Sequence, residues 1–183
     1  PELKFIGGGE ESYGYMVGDF VRDKDANTSI LLACEMAAEL KSQGKTLIDK
    51  LKELYVEHGY YQEHLVALVK KGLDGAEEIK QKMIDLRNQP LTEINGEKVV
   101  LVEDYATSEA KSFQENKTHK INIPKSNVLI YYTEKGTKVA ARPSGTEPKI
   151  KFYVSVNTSL QSVDNFASKK EEASQKIQNI LEE

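Results

Sequence analysis

The chain has 183 residues, a formal net charge of -4, and 39% hydrophobic against 30% charged residues. With a mean hydropathy of -0.53, this describes a globular chain of one or two domains, long enough to bury a core. It excludes a basic surface spread over the whole molecule for nucleic acid, and no apolar run approaches the roughly 20 residues of a membrane-spanning helix.

Leu3-Lys4-Phe5-Ile6 reads as a short strand feeding a glycine-rich turn, Gly7 to Tyr15. Gly9 and Gly14 have the P-loop interval, but Tyr15-Met16 stands where Lys-Ser/Thr is needed, which excludes a nucleotide P-loop. Glu10, Glu11 and Ser12 at the apex offer acceptors and a donor for sugar hydroxyls, or else form a solvated turn. Asp25 or Asn27 can cap the next helix, whose stripe of Ile30, Leu31, Cys34, Ala37, Ala38 and Leu40 ends at Gly44. Cys34 reads as a core thiol rather than a nucleophile. As the single cysteine it excludes an intramolecular disulfide and suits a reducing cytoplasm. No basic start with an apolar core marks a secretory signal, so the sequons at Asn27, Asn116 and Asn157 read as chance matches.

Thr46 and Asp49 fit a capping box opening a second helix that ends at Gly59 and buries Leu47, Ile48, Leu51, Leu54 and Tyr55. Tyr60–Val69 has strand composition. His58 and His64 lack the companions a metal site requires. Residues 74–88 form an amphipathic helix stopped by Pro90. Lys98–Val102 is a strand, and the polar residues 103–120 are expected to form a long loop. Val128–Tyr132 and Lys138–Arg142 flank the turn Thr133-Glu134-Lys135-Gly136 as a hairpin. Ile150–Val156 is a further strand, and residues 162–182 close the chain as an amphipathic helix.

The densest chemistry lies in Arg142-Pro143-Ser144-Gly145-Thr146-Glu147-Pro148-Lys149-Ile150-Lys151. A guanidinium fork matches phosphate oxygens, lysine adds a mobile point charge, and Ser144 and Thr146 supply hydroxyl donors. Gly145 lets backbone N–H groups approach an anion closely. Between two strands, this loop reads as a grip on a phosphate.

Gly9-Glu10-Glu11-Ser12 followed by Arg22-Asp23-Lys24-Asp25 resembles the sugar-binding loop in the third domain of the α-D-phosphohexomutases. Arg142-Pro143-Ser144-Gly145-Thr146 resembles the phosphate-binding loop of their fourth domain, and order and separation agree across essentially the whole chain. The resemblance implies the C-terminal part of a phosphoglucomutase or phosphomannomutase. Residues 1–45 would close the third domain, 46–59 would be a helical connector, and 60–183 the fourth domain. It implies an α+β fold: a small antiparallel sheet with two helices, TATA-binding-protein-like, after a strand–loop–helix remnant of an α/β domain.

It further implies interconversion of hexose 1-phosphate and 6-phosphate through a bisphosphorylated intermediate, such as glucose 1,6-bisphosphate. Glu10 and Ser12 would bind sugar hydroxyls with Lys24 nearby; Arg142, Ser144, Gly145, Thr146 and, more loosely, Lys151 would hold the non-reacting phosphate. The phosphoserine sequence Ser-His-Asn-Pro and the metal sequence Asp-Gly-Asp-x-Asp-Arg are both absent from the 183 residues. The Mg²⁺ and the catalytic serine are therefore expected in other domains, which would be the partners of this part, and no catalytic or metal-ligating residue is expected here. The start at Pro1-Glu2 reads as a cut inside a longer protein. Competing readings are a stand-alone phosphosugar-binding module and a nucleic-acid or protein-interaction domain of the same fold class.

Overall fold

Three consecutive glycines near the start of the chain form a strand. The computed structural model describes residues 4–10, 13–70, 72–145 and 147–182, and of Leu73 the backbone only. The chain separates into two units, Pro1–Leu54 and Tyr55–Glu183.

In the first unit, β1 (Gly7–Gly9) pairs antiparallel with β2 (Tyr15–Val17), Gly8 opposite Met16. The glycines are needed for close approach rather than for turning. A Cβ on Gly9 would sit 3.0 Å from the Tyr15 ring, and one on Gly7 would sit 3.2 Å from its hydroxyl. The strand expected at residues 3–6 is thus displaced: Phe5 and Ile6 precede it, and Leu3 lies outside the described residues. Asp25 caps α1 (Ala26–Ser42), accepting from the N–H groups of Asn27 and Thr28 at 3.2 and 3.1 Å. Its own N–H donates to Tyr15 O at 3.0 Å, tying the helix start to the ribbon.

Gly44, at φ +71°, ends the helix in the left-handed region. The capping box opening α2 (Leu47–His58) forms as read. Thr46 N donates to Asp49 Oδ2 at 2.8 Å, and Asp49 N donates to Thr46 Oγ1 at 3.1 Å.

Cys34 is exposed, which corrects the core-thiol reading. Ile30 and Leu31 are likewise 62% and 60% exposed, and Leu40 alone in α1 is buried. The helical period was read correctly; what differs is the cover. A two-stranded ribbon is the sheet the first unit's described residues contain, and it is too narrow to bury a 17-residue helix face. The apolar side of α2 is similarly open, with Ile48 59% exposed.

The second unit is α+β. Its strands are β3 (Tyr60–Val69), β4 (Glu93–Ile94), β5 (Glu97–Asp104), β6 (Glu109–Ser112), β7 (Lys117–Lys120), β8 (Leu129–Thr133), β9 (Lys138–Pro143) and β10 (Lys149–Thr158). They form one antiparallel sheet in the order β3-β10-β9-β8-β5-β6-β7, with β4 paired to β5. The loop expected over residues 103–120 is instead largely the hairpin β6–β7. The left-handed residues Ser108 (φ 63°) and Asn116 (φ 51°) punctuate it, and all four β7 residues are exposed. An edge hairpin buries too little to leave an apolar signal in the sequence.

Two helices, α3 (Gly72–Asn88) and α4 (Phe166–Glu182), cover one face of the sheet. Alternation along β10 decides which face. Ile150, Val154 and Val156 are 3%, 2% and 1% exposed. Ile150 joins Met83 and Ile79 of α3, and Val154 and Val156 join Ala173 and Ile177 of α4. Successive strand residues point to opposite faces, so the odd-numbered residues of β10 look away from both helices. Gly59, at φ +93°, separates α2 from β3, and Ser162 caps the short 3-10 turn Val163–Asn165 ahead of α4.

Candidate functional site

Arg142 and Lys151 stand directly opposite each other on β9 and β10. Lys149 is two residues before Lys151 on β10, hence on the same face and roughly 6.6 Å further along at the usual strand rise. Arg142, Pro143, Ser144, Gly145, Lys149 and Lys151 line a single cavity of about 220 Å³ at this end of the sheet. That is below the ~300–1,000 Å³ of clefts that take a whole drug-sized ligand, and it suits one small charged group. Thr146 lies outside the described residues.

The loop is held by its own backbone. Ser144 N donates to Lys149 O at 2.7 Å, Lys149 N donates to Glu147 O at 2.7 Å, and Lys70 N at the end of β3 donates to Pro148 O at 2.8 Å. Glu147 N donates to Ser144 Oγ at 3.3 Å, which fixes that oxygen over the turn. Pro143 ends β9, where a missing N–H costs the sheet little. Three cations thus meet on a rigid frame. Among the described residues, Glu147 sets a carboxylate against them, 2.6 Å from Lys149 Nζ. The Lys149 hydrogen bond and charge, and then the charge of Lys151, hold the Glu147 carboxyl below its ordinary range.

The sequence includes Lys149 and Glu147 in the phosphate-grip stretch, but the resemblance gives a phosphate-holding role to Lys151 and none to either of them. Two-residue alternation through Lys149-Ile150-Lys151 was the available signal, because it sends both lysines to one face.

Glu10 and Lys24 meet in the first unit: Lys24 Nζ lies 3.7 Å from Glu10 Oε1 and 3.2 Å from Asp23 Oδ1. Both groups line an open cavity of about 280 Å³ with Phe5, Gly14 and Arg22. Gly14 is required beneath them, since a Cβ there would come within 2.5 Å of Lys24 Cγ and 2.6 Å of Glu10 Oε1. The hydrogen bond and charge of Asp23 raise the Lys24 ammonium above its ordinary value. Ser12 lies outside the described residues. The sugar-loop and phosphate-loop residues therefore fall in different units. Among the described residues no group of three or more His, Cys, Asp and Glu could hold a metal ion, and no helix is long and apolar enough to cross a membrane.

Residues 2–58 match the family model described as phosphoglucomutase/phosphomannomutase, alpha/beta/alpha domain III. A phosphoglucomutase of Staphylococcus haemolyticus is 42% identical over 94% of this chain, and one of Staphylococcus aureus is 44% identical over 87%. Residues 2–58 thus match the third-domain model of the phosphoglucomutase/phosphomannomutase family, and the bacterial relatives extend the likeness over almost the whole chain. The chain spans 30% and 28% of the length of those two relatives. The open form of the Paramecium phosphoglucomutase pp63/parafusin shares the fold, with a TM-score of 0.51 at 15% identity over 95% of this chain and 31% of that one. Within the family segment at residues 2–58 lie Glu10 and Lys24, whereas the Arg142 cavity lies beyond it.

Proposed function

We propose that this chain is the C-terminal part of a cytoplasmic phosphoglucomutase or phosphomannomutase and supplies its grip on substrate. Residues 1–45 close the third domain, 46–59 connect, and 60–183 form the fourth, phosphate-binding domain. Arg142, Ser144, Gly145, Thr146 and Lys151 hold the phosphate that is not reacting, while Glu10 and Ser12 bind sugar hydroxyls with Lys24 beside them. The observation that carries this reading is the facing pair Arg142 and Lys151 over one small cavity that Ser144 and Gly145 also line.

The substrate must be bound in two orientations, with its 1-phosphate or its 6-phosphate distal. A clamp built of guanidinium, ammonium and hydroxyl groups binds either phosphate without reading the sugar. The Glu10 carboxylate accepts from ring hydroxyls, and the Lys24 ammonium donates to them. Such positioning acts by orientation, which can be worth several kcal/mol of barrier.

Mg²⁺ and the phosphoryl-carrying serine belong to other domains of the enzyme, so the chain by itself is inactive toward hexose phosphates. The described residues do not fit a metal site. The test is Arg142→Ala in the complete enzyme. Losing a charge-assisted bond should weaken hexose-phosphate turnover, as kcat/KM, by about 2–3 kcal/mol. Unchanged kinetics would refute the clamp.

A further inference from the structure

Lys149 is tethered. Its ammonium lies 2.6 Å from Glu147 Oε2, and only 26% of its side chain is exposed, against 61% for Glu147. The same two residues share a backbone bond, Lys149 N to Glu147 O at 2.7 Å, so the ion pair spans a turn already locked. Lys149 nevertheless lines the cavity with Arg142 and Lys151. The Lys151 ammonium lies 6.0 Å from the centre of the Tyr153 ring.

We propose that Lys149 is a further phosphate ligand of this site and that Glu147 is an exchangeable stand-in for the phosphate. This rests on the phosphate-clamp reading above. Before phosphate binds, the carboxylate keeps the ammonium at the cavity rim and offsets one of three clustered positive charges. A phosphate monoester dianion brings more charge and more acceptor oxygens than a carboxylate, so the ammonium turns from Glu147 to the phosphate. Glu147 then faces solvent, where its 61% exposure already places much of it. The carboxylate therefore lowers affinity for weaker anions. It makes the site selective for dianionic phosphate over a singly charged group such as a carboxylate or sulfate ester.

The experiment is a titration of the whole 183-residue chain with inorganic phosphate, followed by backbone amide NMR shifts of residues 142–151. Lys149→Met is expected to raise the dissociation constant by about fivefold to tenfold, the range of a partly screened charge-assisted bond. Glu147→Gln is expected to lower it severalfold, because the internal competitor is gone, and to improve binding of methyl sulfate more than of phosphate. Weakened phosphate binding in Glu147→Gln overturns the exchange, since the carboxylate would then be a brace. If Arg142→Ala weakens binding while Lys149→Met does not, the clamp stands and the role of Lys149 fails. No phosphate-dependent shift in the unsubstituted chain overturns both.

Discussion

Replacing Lys176 by Met should uncover a buried charge whose consequences can be followed with pH. Glu97, at the start of β5, is 4% exposed and has three partners. Lys176 Nζ of α4 lies 2.6 Å from Oε1, while the Thr133 and Thr137 hydroxyls donate to Oε2 at 2.6 and 2.7 Å. Burial pushes the carboxyl up, but the Lys176, Thr133 and Thr137 bonds outweigh it and leave its pKa below the ordinary 4.5. Removing one partner of a buried pair costs about 3–5 kcal/mol, and the 19% exposure of the lysine side chain lets water replace part of it. We therefore expect a loss of about 2–3 kcal/mol at neutral pH, read by urea denaturation with tyrosine fluorescence of the second unit.

The pH dependence has a fixed sign. A carboxyl whose folded pKa is lowered contributes its full stability above the unfolded value and loses it as pH falls through the folded one. The deficit of Lys176→Met should thus be largest above pH 4.5 and shrink on acidification, because the variant's carboxyl can protonate and shed its unpaired charge. A loss under about 0.5 kcal/mol, the range of ordinary surface substitutions, or one flat with pH would refute this account.

Met83 is 1% exposed in the core under α3, so Met83→Ala should cost about 2–5 kcal/mol by the same denaturation assay. Gly136 has φ +84° and a Cβ there would lie 2.7 Å from Asn157 Oδ1. Gly136→Ala should accordingly destabilise the second unit by more than about 1 kcal/mol in a urea melt, whereas a neutral result would show that Asn157 can move aside. Thr46→Ala removes the hydroxyl that accepts from Asp49 N, while the backbone N–H to Asp49 remains, and should cost about 1 kcal/mol, seen as faster amide exchange in the first turn of α2. Burial pushes the Tyr131 phenol up to about 12. Its stabilising effect should be intact below pH 10 and lost as pH rises toward 12, followed by ultraviolet difference titration.

Most of the second unit was legible because each element carried its own period. The second half of Ile150 to Val156 alternates by two, and Ala76 to Leu86 repeats at helical spacing. Hairpin β6–β7 was missed because it has no buried side: polar residues 103–120 look the same whether paired or loose. Buried Glu97 was missed for a related reason, since its partners Thr133, Thr137 and Lys176 lie 36 to 79 positions away in sequence and no local pattern announces them. In the first unit the period of α1 was right and the inference of burial was wrong, because burial depends on what stands opposite the helix. At the phosphate loop the residue types were sufficient to suggest a cation cluster. That Glu147 sits among the cations is a matter of side-chain direction, which spacing in a turn does not reveal.

The sheet has two unlike margins. β7 presents Lys117, His119 and Lys120, all exposed, so a second copy approaching that edge meets like charge. The other margin is β3, ten residues long, with Tyr61, Leu65 and Val69 at 53%, 42% and 67% exposure. Strand addition between molecules should therefore begin at β3, and this margin should set the concentration at which any self-association starts. Leu65→Lys should raise that concentration in light scattering, and a Lys117→Ile change at the opposite edge should give the molecule a second sticky side.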